Sequence, residues 1–155
     1  MSQCNTGVEV VQRQLDAYNA RDIDAVMATY ADDVEHFEFP STPVASNAAE
    51  VRERLSVRLQ EPNLHARLLA RTAMGDLVID HERVTRDFPE GLGTVELIAM
   101  YEVQGEKIVR AWFKFGEKRL GALRLSRSAL LRLLGLRLVQ LRNHPRNALF
   151  NLLGR

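Results

Sequence analysis

Apolar side chains recur every three or four residues through the first sixty positions of the chain. Over about residues 6–20 this spacing predicts a helix, and Thr6 with Glu9 fits a capping box at its start. Asp22 and Asn47 are typical N-cap residues for a second and a third helix. The first part of the chain is therefore predicted to be largely helical.

After Pro62 the apolar period changes to about two, which is the spacing of β-strands. Short groups of turn residues separate four extended segments, and such an arrangement predicts an antiparallel meander. The segments are residues 64–74, 77–86, 94–103 and 107–115. Helices first and strands afterwards is the order of an α+β domain, because a protein built from βαβ units would alternate them.

Alternation along the last segment predicts which of its side chains face inwards. Ala111 and Phe113 would lie on the concave face of the sheet, while Ile108 and Trp112 would lie on the outer face. Two neighbouring apolar side chains are seldom left bare on a surface. The sequence therefore predicts either a homodimer through the outer sheet face or a C-terminal segment packed over it.

The composition indicates one soluble domain, since 155 residues with 46% hydrophobic side chains can bury one sizeable core. Cys4 is the only cysteine, so an intramolecular disulfide is excluded. No apolar run follows a basic start at the N-terminus, and we expect a cytoplasmic protein. The four histidines lack zinc-site spacing and no phosphate-binding loop is found, so neither a metal nor a cofactor is expected.

Charge divides the chain into two parts. Residues 118–155 contain nine Lys or Arg and no acidic residue, whereas residues 1–117 contain twelve basic and twenty acidic side chains, a formal charge of −8. We therefore predict a domain over 1–117 and a basic, leucine-rich extension over 118–155. Frequent arginines exclude a transmembrane span in the extension. Weak contact with anionic membranes is the interaction that its charge would favour, and nucleic acid is not an expected partner.

Glu38 is the leading candidate for chemistry in the sequence. It ends an extended segment over residues 34–39 and lies between Phe37 and Phe39. A carboxyl group in an apolar pocket has a raised pKa and can move protons near neutral pH. His36 lies two residues earlier, so a regular strand would place the imidazole beside the carboxylate as an acid/base partner. The alternative is a solvated glutamate at the end of a strand.

The order of these segments resembles the ketosteroid isomerases and the wider SnoaL-like group of cone-shaped α+β domains. The resemblance rests on residues 10–13, 19–24 and 30–34, followed by Glu38. It implies N-terminal helices packed over a curved antiparallel sheet that encloses a pocket for a small apolar molecule. It also implies that Glu38 stands where the isomerases have a proton-shuttling aspartate.

The resemblance to the isomerases breaks down at their oxyanion hole, which is built from a tyrosine and a protonated aspartic acid. At those positions this chain has Gln14 and Ala99. The Gln14 amide can donate a hydrogen bond, but the Ala99 side chain cannot. We expect a small-molecule enzyme without a cofactor, resembling a steroid delta-isomerase or a polyketide cyclase. The alternative is a non-catalytic ligand-binding or dimerisation module on the same fold.

Several further side chains are candidates for contact with the small molecule. His81 shares a face with Leu77 and Ile79, and it would point inwards if they do. The candidate ligand-binding residues are Gln14, Tyr18, Tyr30, His81, Ala99, Tyr101 and Phe113.

A site like that of limonene epoxide hydrolase, which is known on the same fold, would need an arginine bridging two buried acids. Asp80, Glu82 and Arg83 are the residue types required, but alternation along one strand would place Arg83 on the opposite face.

Overall fold

Three helices and six strands form the part of the chain that the computed structural model describes, which is residues 3 to 121, with side chains from residue 6. In chain order the elements are α1 (Gln3–Ala20), α2 (Ile23–Met27), β1 (Tyr30–Glu38), β2 (Thr42–Ala45), α3 (Ala48–Arg58), β3 (His65–Met74), β4 (Leu77–Phe88), β5 (Gly91–Gln104) and β6 (Lys107–Leu120). The predicted α+β class is confirmed.

The predicted start of the first helix is wrong by three residues. Helix α1 begins at Gln3, so Thr6 and Glu9 lie within the helix and not at its N-terminus. A capping-box sequence marks a helix start only where the chain before it is not helical.

The other two helices begin as predicted. The Asp22 side chain accepts a hydrogen bond from the Ala25 backbone N–H at 3.0 Å. The Asn47 side chain accepts one from the Glu50 N–H, also at 3.0 Å. Each cap satisfies a backbone donor that has no partner inside its helix.

The six strands form one mixed sheet in the order β2-β1-β6-β5-β4-β3. Strands β3 to β6 make the predicted antiparallel meander, with Gly75 and Gly105 at φ +62° and +61° in two of its turns. Strand β1 pairs with β6 in parallel, and β2 pairs with β1. Neither of these two pairings was predicted. Strands β1 and β6 are distant in sequence, and β2 was not predicted as a strand.

Ile108 lies on the inner face of the sheet, so its predicted outward position is wrong. Its side chain is fully buried, and its backbone is paired with that of Val103, whereas Arg110 is paired with Glu102. Val109 is thus an extra residue in β6, and this bulge shifts the alternation that the sequence prediction assumed to be regular.

The outer face of the sheet carries a row of apolar side chains that runs across four strands. Phe37, Trp112, Met100 and Ile79 are successive backbone partners on β1, β6, β5 and β4. The Phe37 and Trp112 rings stack with centroids 5.8 Å apart and an interplanar angle of 19°. All four side chains are half-buried in the single chain, and the outward position of Trp112 agrees with the prediction.

The described unit extends past residue 117, where the sequence prediction placed its boundary. Strand β6 continues through Lys118 and Arg119 to Leu120, and these residues pair with β5. The compact unit ends at Gly121. The rest of the predicted extension, residues 122–155, and its expected membrane contact lie outside the described residues.

The hydrophobic core lies between the helices and the inner face of the sheet. Helix α1 contributes Val10, Val11 and Leu15, while β5 contributes Tyr101 and Val103. Helix α3 packs against β1 and β2 at the other end of the sheet. This arrangement leaves a cavity between α1, α3 and the inner sheet surface.

Candidate functional site

A cavity of about 450 Å³ is lined by α1, α3 and five strands. Its volume lies within the range of about 300–1,000 Å³ that small-molecule sites occupy. Exposed lining residues, among them Glu38 and Arg54, mark its mouth, and buried ones mark its interior. The apolar interior surface includes Leu15, Val51, Val84, Val95, Leu97 and Phe113.

Alternation along β4 brings two acidic side chains to the inner face of the sheet. Val78, Asp80, Glu82 and Val84 form the inner row and are all buried. The two valines fix this register, because they belong to the core and every second residue between them must share their face. Asp80 is fully buried and Glu82 is 5% exposed.

Asp80 is paired with an arginine from the neighbouring strand. Arg71 Nε lies 2.6 Å from Asp80 Oδ1, and Arg71 Nη2 lies 2.7 Å from Asp80 Oδ2. The third guanidinium nitrogen, Nη1, donates to Gln12 Oε1 at 2.8 Å. The hydrogen bonds to Asp80 raise the pKa of Arg71. The buried carboxylate of Asp80 is thus compensated by a fixed positive charge.

Glu82, in contrast, lines the cavity and has no hydrogen-bond partner among the described residues. Burial, together with the negative charge of Asp80, raises the pKa of Glu82 to about 7, and the charge of Arg71 only partly opposes this. A carboxyl group with such a pKa populates both its acid and its base form at neutral pH. It therefore has the protonation behaviour of a general acid or base.

His36 places a second polar group in the cavity. Its Nε2 atom is buried and has no hydrogen-bond partner in the described part of the chain. Edge contacts hold the ring, with centroids 5.1 Å from Tyr30 and 5.3 Å from Phe113. Burial, and secondarily the charge of Arg54, lowers the pKa of His36 to about 4. The imidazole is therefore neutral at pH 7.

Three tyrosines and one amide add uncharged polar groups to the lining. Gln14 Nε2 donates to the Tyr30 hydroxyl at 3.3 Å. Burial raises the pKa values of Tyr18, Tyr30 and Tyr101, so all three phenols stay protonated at neutral pH. The Tyr101 hydroxyl has no hydrogen-bond partner among residues 6 to 121. A neutral phenol in an apolar cavity can donate a hydrogen bond to a ligand oxygen.

Most of the candidate site residues line this one cavity. They are Gln14, Tyr18, Tyr30, His36, Glu38, Tyr101 and Phe113. Ala99 does not line it, because the alanine is fully buried and the larger ring of its cross-strand partner Phe113 lines the cavity in its place. The roles of the lining residues in binding stay predictions.

His81, a candidate ligand-binding residue, does not line the cavity, because the condition for its inward position is not met. The imidazole lies on the outer face of β4, where Nε2 is 3.1 Å from Glu96 Oε2. The inward position depended on Leu77 and Ile79 also facing inwards, but the inner row is that of Asp80 and Glu82. Arg83 is also outward, as predicted, and its Nη2 lies 2.6 Å from Glu96 Oε1.

Glu38 lines the mouth of the cavity with an exposed side chain, so the desolvated environment predicted for it is not found. The buried carboxyl group that lines the cavity is that of Glu82, which the sequence analysis named only as one of the acids that an epoxide-hydrolase-like site would need. The signal for it was the row of alternate residues from Val78 to Val84, in which two acids stand between two valines.

Among residues 6 to 121, no group of three or more His, Cys, Asp or Glu side chains could hold a metal ion. None of the helices described is both long and apolar enough to cross a membrane.

Comparison with known proteins gives a family match and several similar structures. A family model described as a SnoaL-like domain matches residues 11–111. No curated protein matches the chain. An uncharacterized cystatin fold protein from Novosphingobium aromaticivorans is 25% identical with a TM-score of 0.64, over 69% of this chain and 96% of that one.

Two further solved structures share the fold at lower identity. An LEH-like epoxide hydrolase of M. tuberculosis is 17% identical with a TM-score of 0.63, over 88% of this chain and 98% of that one. A SnoaL-like protein of unknown function from Burkholderia thailandensis is 22% identical with a TM-score of 0.60, over 73% and 96%.

Proposed function

Since the chain belongs to the SnoaL-like family, we propose that it is a small-molecule enzyme in which Glu82 transfers a proton inside the cavity. The substrate class is an enolisable ketone, as in a steroid delta-isomerase or a polyketide cyclase. The observation that carries the proposal is the cavity-facing carboxyl of Glu82, with its pKa of about 7 and no partner among the described residues.

The reaction begins with the carboxylate form of Glu82 as a general base. It removes the proton from the carbon next to a substrate carbonyl. The electron pair of that C–H bond forms a C=C bond, and the π electron pair of the carbonyl moves to its oxygen, which gives an enolate. In an isomerisation, Glu82 then returns the proton to another carbon of the conjugated enolate. In a ring closure, the enolate carbon instead attacks a second carbonyl of the substrate, and Glu82 gives its proton to the alkoxide oxygen that results. No cofactor is needed for this transfer.

The neutral donors of the cavity stabilise the enolate oxygen. Tyr101 offers an unpartnered phenol, and His36 offers Nε2 in the tautomer that carries the proton there. Such donors act strongly in a dry site, where the loss of one typically costs about 10²- to 10³-fold in rate. Tyr101 and His36 would thus serve as the oxyanion hole. At the positions of the isomerase oxyanion hole, the sequence has Gln14 and Ala99.

Glu38 is the competing candidate for the base, because it occupies the isomerase position in sequence. Its exposed carboxylate lies at the mouth of the same cavity. Exposure supports a role in ligand entry more than a role in proton abstraction, since enzymes carry out such steps in sites from which water is excluded.

A second candidate function is the addition of water to an epoxide. The observation that favours it is a cluster of one half-buried arginine and two buried acids, Arg71, Asp80 and Glu82. The neutral acid of Glu82 would protonate the epoxide oxygen while water adds to carbon, and the proton lost by that water would restore the acid. Arg71 hydrogen-bonds only Asp80 of the two acids, which makes this the weaker candidate.

A substrate screen with matched variants tests both candidates. Enolisable ketones, small cyclic polyketides and epoxides are assayed with the wild type, Glu82→Gln, Glu38→Gln and Glu96→Gln. We expect Glu82→Gln to lower turnover by about 10²- to 10⁴-fold, the usual contribution of a positioned general base. Glu96→Gln, which removes an outer-face carboxylate, is the control and should retain activity.

The pH profile separates the two reactions. A general base gives a kcat/KM that rises through about pH 7, whereas a general acid gives one that falls there. Wild-type turnover by Glu82→Gln would overturn the proposal, and loss of turnover in Glu38→Gln alone would assign the base to Glu38. Tight binding without turnover of any substrate would favour the non-catalytic binding module.

A further inference from the structure

Three arginines line the cavity, two on α3 and one on β4: Arg54, Arg58 and Arg86. The carboxylate of Glu61 pairs with both Arg58 and Arg86. Glu61 Oε1 accepts from Arg58 Nη1 at 2.8 Å and from Arg86 Nη2 at 2.9 Å. The single negative charge of Glu61 therefore faces two positive charges, and the group of Arg58, Arg86 and Glu61 has a net charge of +1.

Arg54 has no hydrogen bond or ion pair in the described part of the chain. It lies one helical turn before Arg58, and like charges at this spacing destabilise a helix. Its charge contributes to the lowered pKa of His36, so the field of the guanidinium reaches into the cavity. An anion seated at the mouth would offset the repulsion between these two arginines.

Two acidic groups of the cavity oppose this positive charge. Glu38 is exposed at the mouth, and Glu82 lies in the interior with a pKa of about 7. With Glu61 and Glu38 both counted as full negative charges, the three arginines still leave the mouth positive. The interior surface beyond them is largely apolar.

We propose that the cavity binds an amphipathic anion, with its carboxylate on Arg54 at the mouth and its apolar body inside. The proposal deepens the proposed function, on which it rests in taking this cavity as the substrate site. It concerns ligand charge alone, and it can be measured without turnover. An arginine at the mouth suits a carboxylate because the planar guanidinium can bind both oxygens.

Binding of three ligands with one apolar chain and different head groups tests the proposal. Octanoate, octanol and octylammonium are titrated into the full chain by calorimetry at pH 7 and low salt. We expect octanoate to bind more tightly than the other two. Arg54→Gln should weaken octanoate by about three- to tenfold and leave octanol unchanged, the range for a partly exposed charge-assisted contact.

Arg52→Gln is the matched control. Arg52 lies on the same helix, but its Nη2 pairs with Asp24 Oδ1 at 2.8 Å and it does not line the cavity. The same charge change there should leave octanoate binding as in the wild type. Arg54→Lys should keep part of the octanoate preference, since it keeps the charge.

The proposal is overturned if octanol or octylammonium binds as tightly as octanoate, if no ligand binds, or if the two Gln variants lose octanoate affinity equally. Glu82→Gln separates this result from the proposed function. That variant should bind octanoate at least as tightly as the wild type, because it removes a negative charge. If the wild type prefers octanoate and Glu82→Gln turns over substrates at the wild-type rate, this inference stands and the proposed function fails.

Discussion

Asp80 and Glu82 lie two residues apart on the inner face of β4, yet Arg71 hydrogen-bonds Asp80 and not Glu82. The pairing fixes one negative charge beneath the cavity. That charge adds to burial in raising the pKa of Glu82. One acid of the row is thus structural, and the other is left to titrate in contact with the cavity.

The stability of the protein should respond to pH through Glu82 and His36 in opposite directions. The pKa of Glu82 rises on folding from 4.5 to about 7, so the folded state binds the extra proton and Glu82 lowers stability as pH increases across that interval. The pKa of His36 falls on folding from 6.5 to about 4, so the unfolded state binds the extra proton and stability increases with pH between 4 and 6.5.

We therefore expect the two effects to cancel in the wild type between about pH 4.5 and 6.5, and each single variant to expose the other effect. In urea unfolding, Glu82→Gln should gain stability relative to the wild type as pH rises, by up to about 3 kcal/mol at pH 8. His36→Gln should lose stability as pH rises over the same window. A stability difference between Glu82→Gln and the wild type that is constant from pH 4.5 to 8 would contradict the assignment.

Removal of Arg71 should destabilise the fold strongly. Arg71→Leu leaves the fully buried Asp80 without its partner, and breaking a buried pair in this way costs about 3–5 kcal/mol. Arg83→Gln is the control, because its pair with Glu96 is partly exposed and exposed pairs contribute about 0.2–1 kcal/mol. The free energy of unfolding of both variants is measured in urea. An equal decrease in the two variants would show that the Arg71–Asp80 pair stabilises the fold no more than the exposed pair does.

The apolar row on the outer sheet face predicts a homodimer. Phe37, Trp112, Met100 and Ile79 form a continuous strip, and a second copy of the chain would bury it. Trp112→Glu should then give a monomer in sedimentation, while Lys114→Glu, at an exposed position two residues along β6, should stay dimeric. A wild-type monomer at micromolar concentration is the result that rules out this assembly.

Truncation should show where the folded domain ends. A chain of residues 1–121 keeps all of β6, whereas one of residues 1–117 loses Lys118, Arg119 and Leu120 from the pairing with β5. We expect the longer chain to unfold cooperatively and the shorter one to be less stable, both measured by calorimetry. The 1–121 chain should also bind anionic vesicles more weakly than the full chain at low salt, since it lacks most of the basic segment. Equal vesicle binding by the 1–121 chain and the full chain would contradict the expected membrane contact of the basic segment.

The fold could be predicted largely from local signals. Helix caps such as Asp22 and Asn47 act over three residues, and the meander strands are joined by short turns, so the sequence shows both directly. The parallel pairing of β1 with β6 joins segments far apart in the chain, and no local pattern indicates it. The bulge at Val109 likewise inverts the faces of its neighbours without a sequence signal.

The site was predicted in part for a related reason. Side chains on α1 and β1, such as Gln14, Tyr30 and His36, line the cavity as expected. Asp80 and Glu82 were considered only as partners of Arg83, which faces away from them, whereas the arginine that pairs with Asp80 is Arg71 on the neighbouring strand. Desolvation is a property of the assembled sheet and cannot be inferred from one strand.

The central claim is that Glu82 exchanges a proton near neutral pH, and a carbon-13 NMR titration of the glutamate side-chain carboxyl groups tests it without a substrate. The Glu82 signal is assigned by its absence from the Glu82→Gln spectrum. The account predicts a titration midpoint at about pH 7 for this signal. A midpoint at about 4.5, the ordinary value for a glutamate, would contradict it.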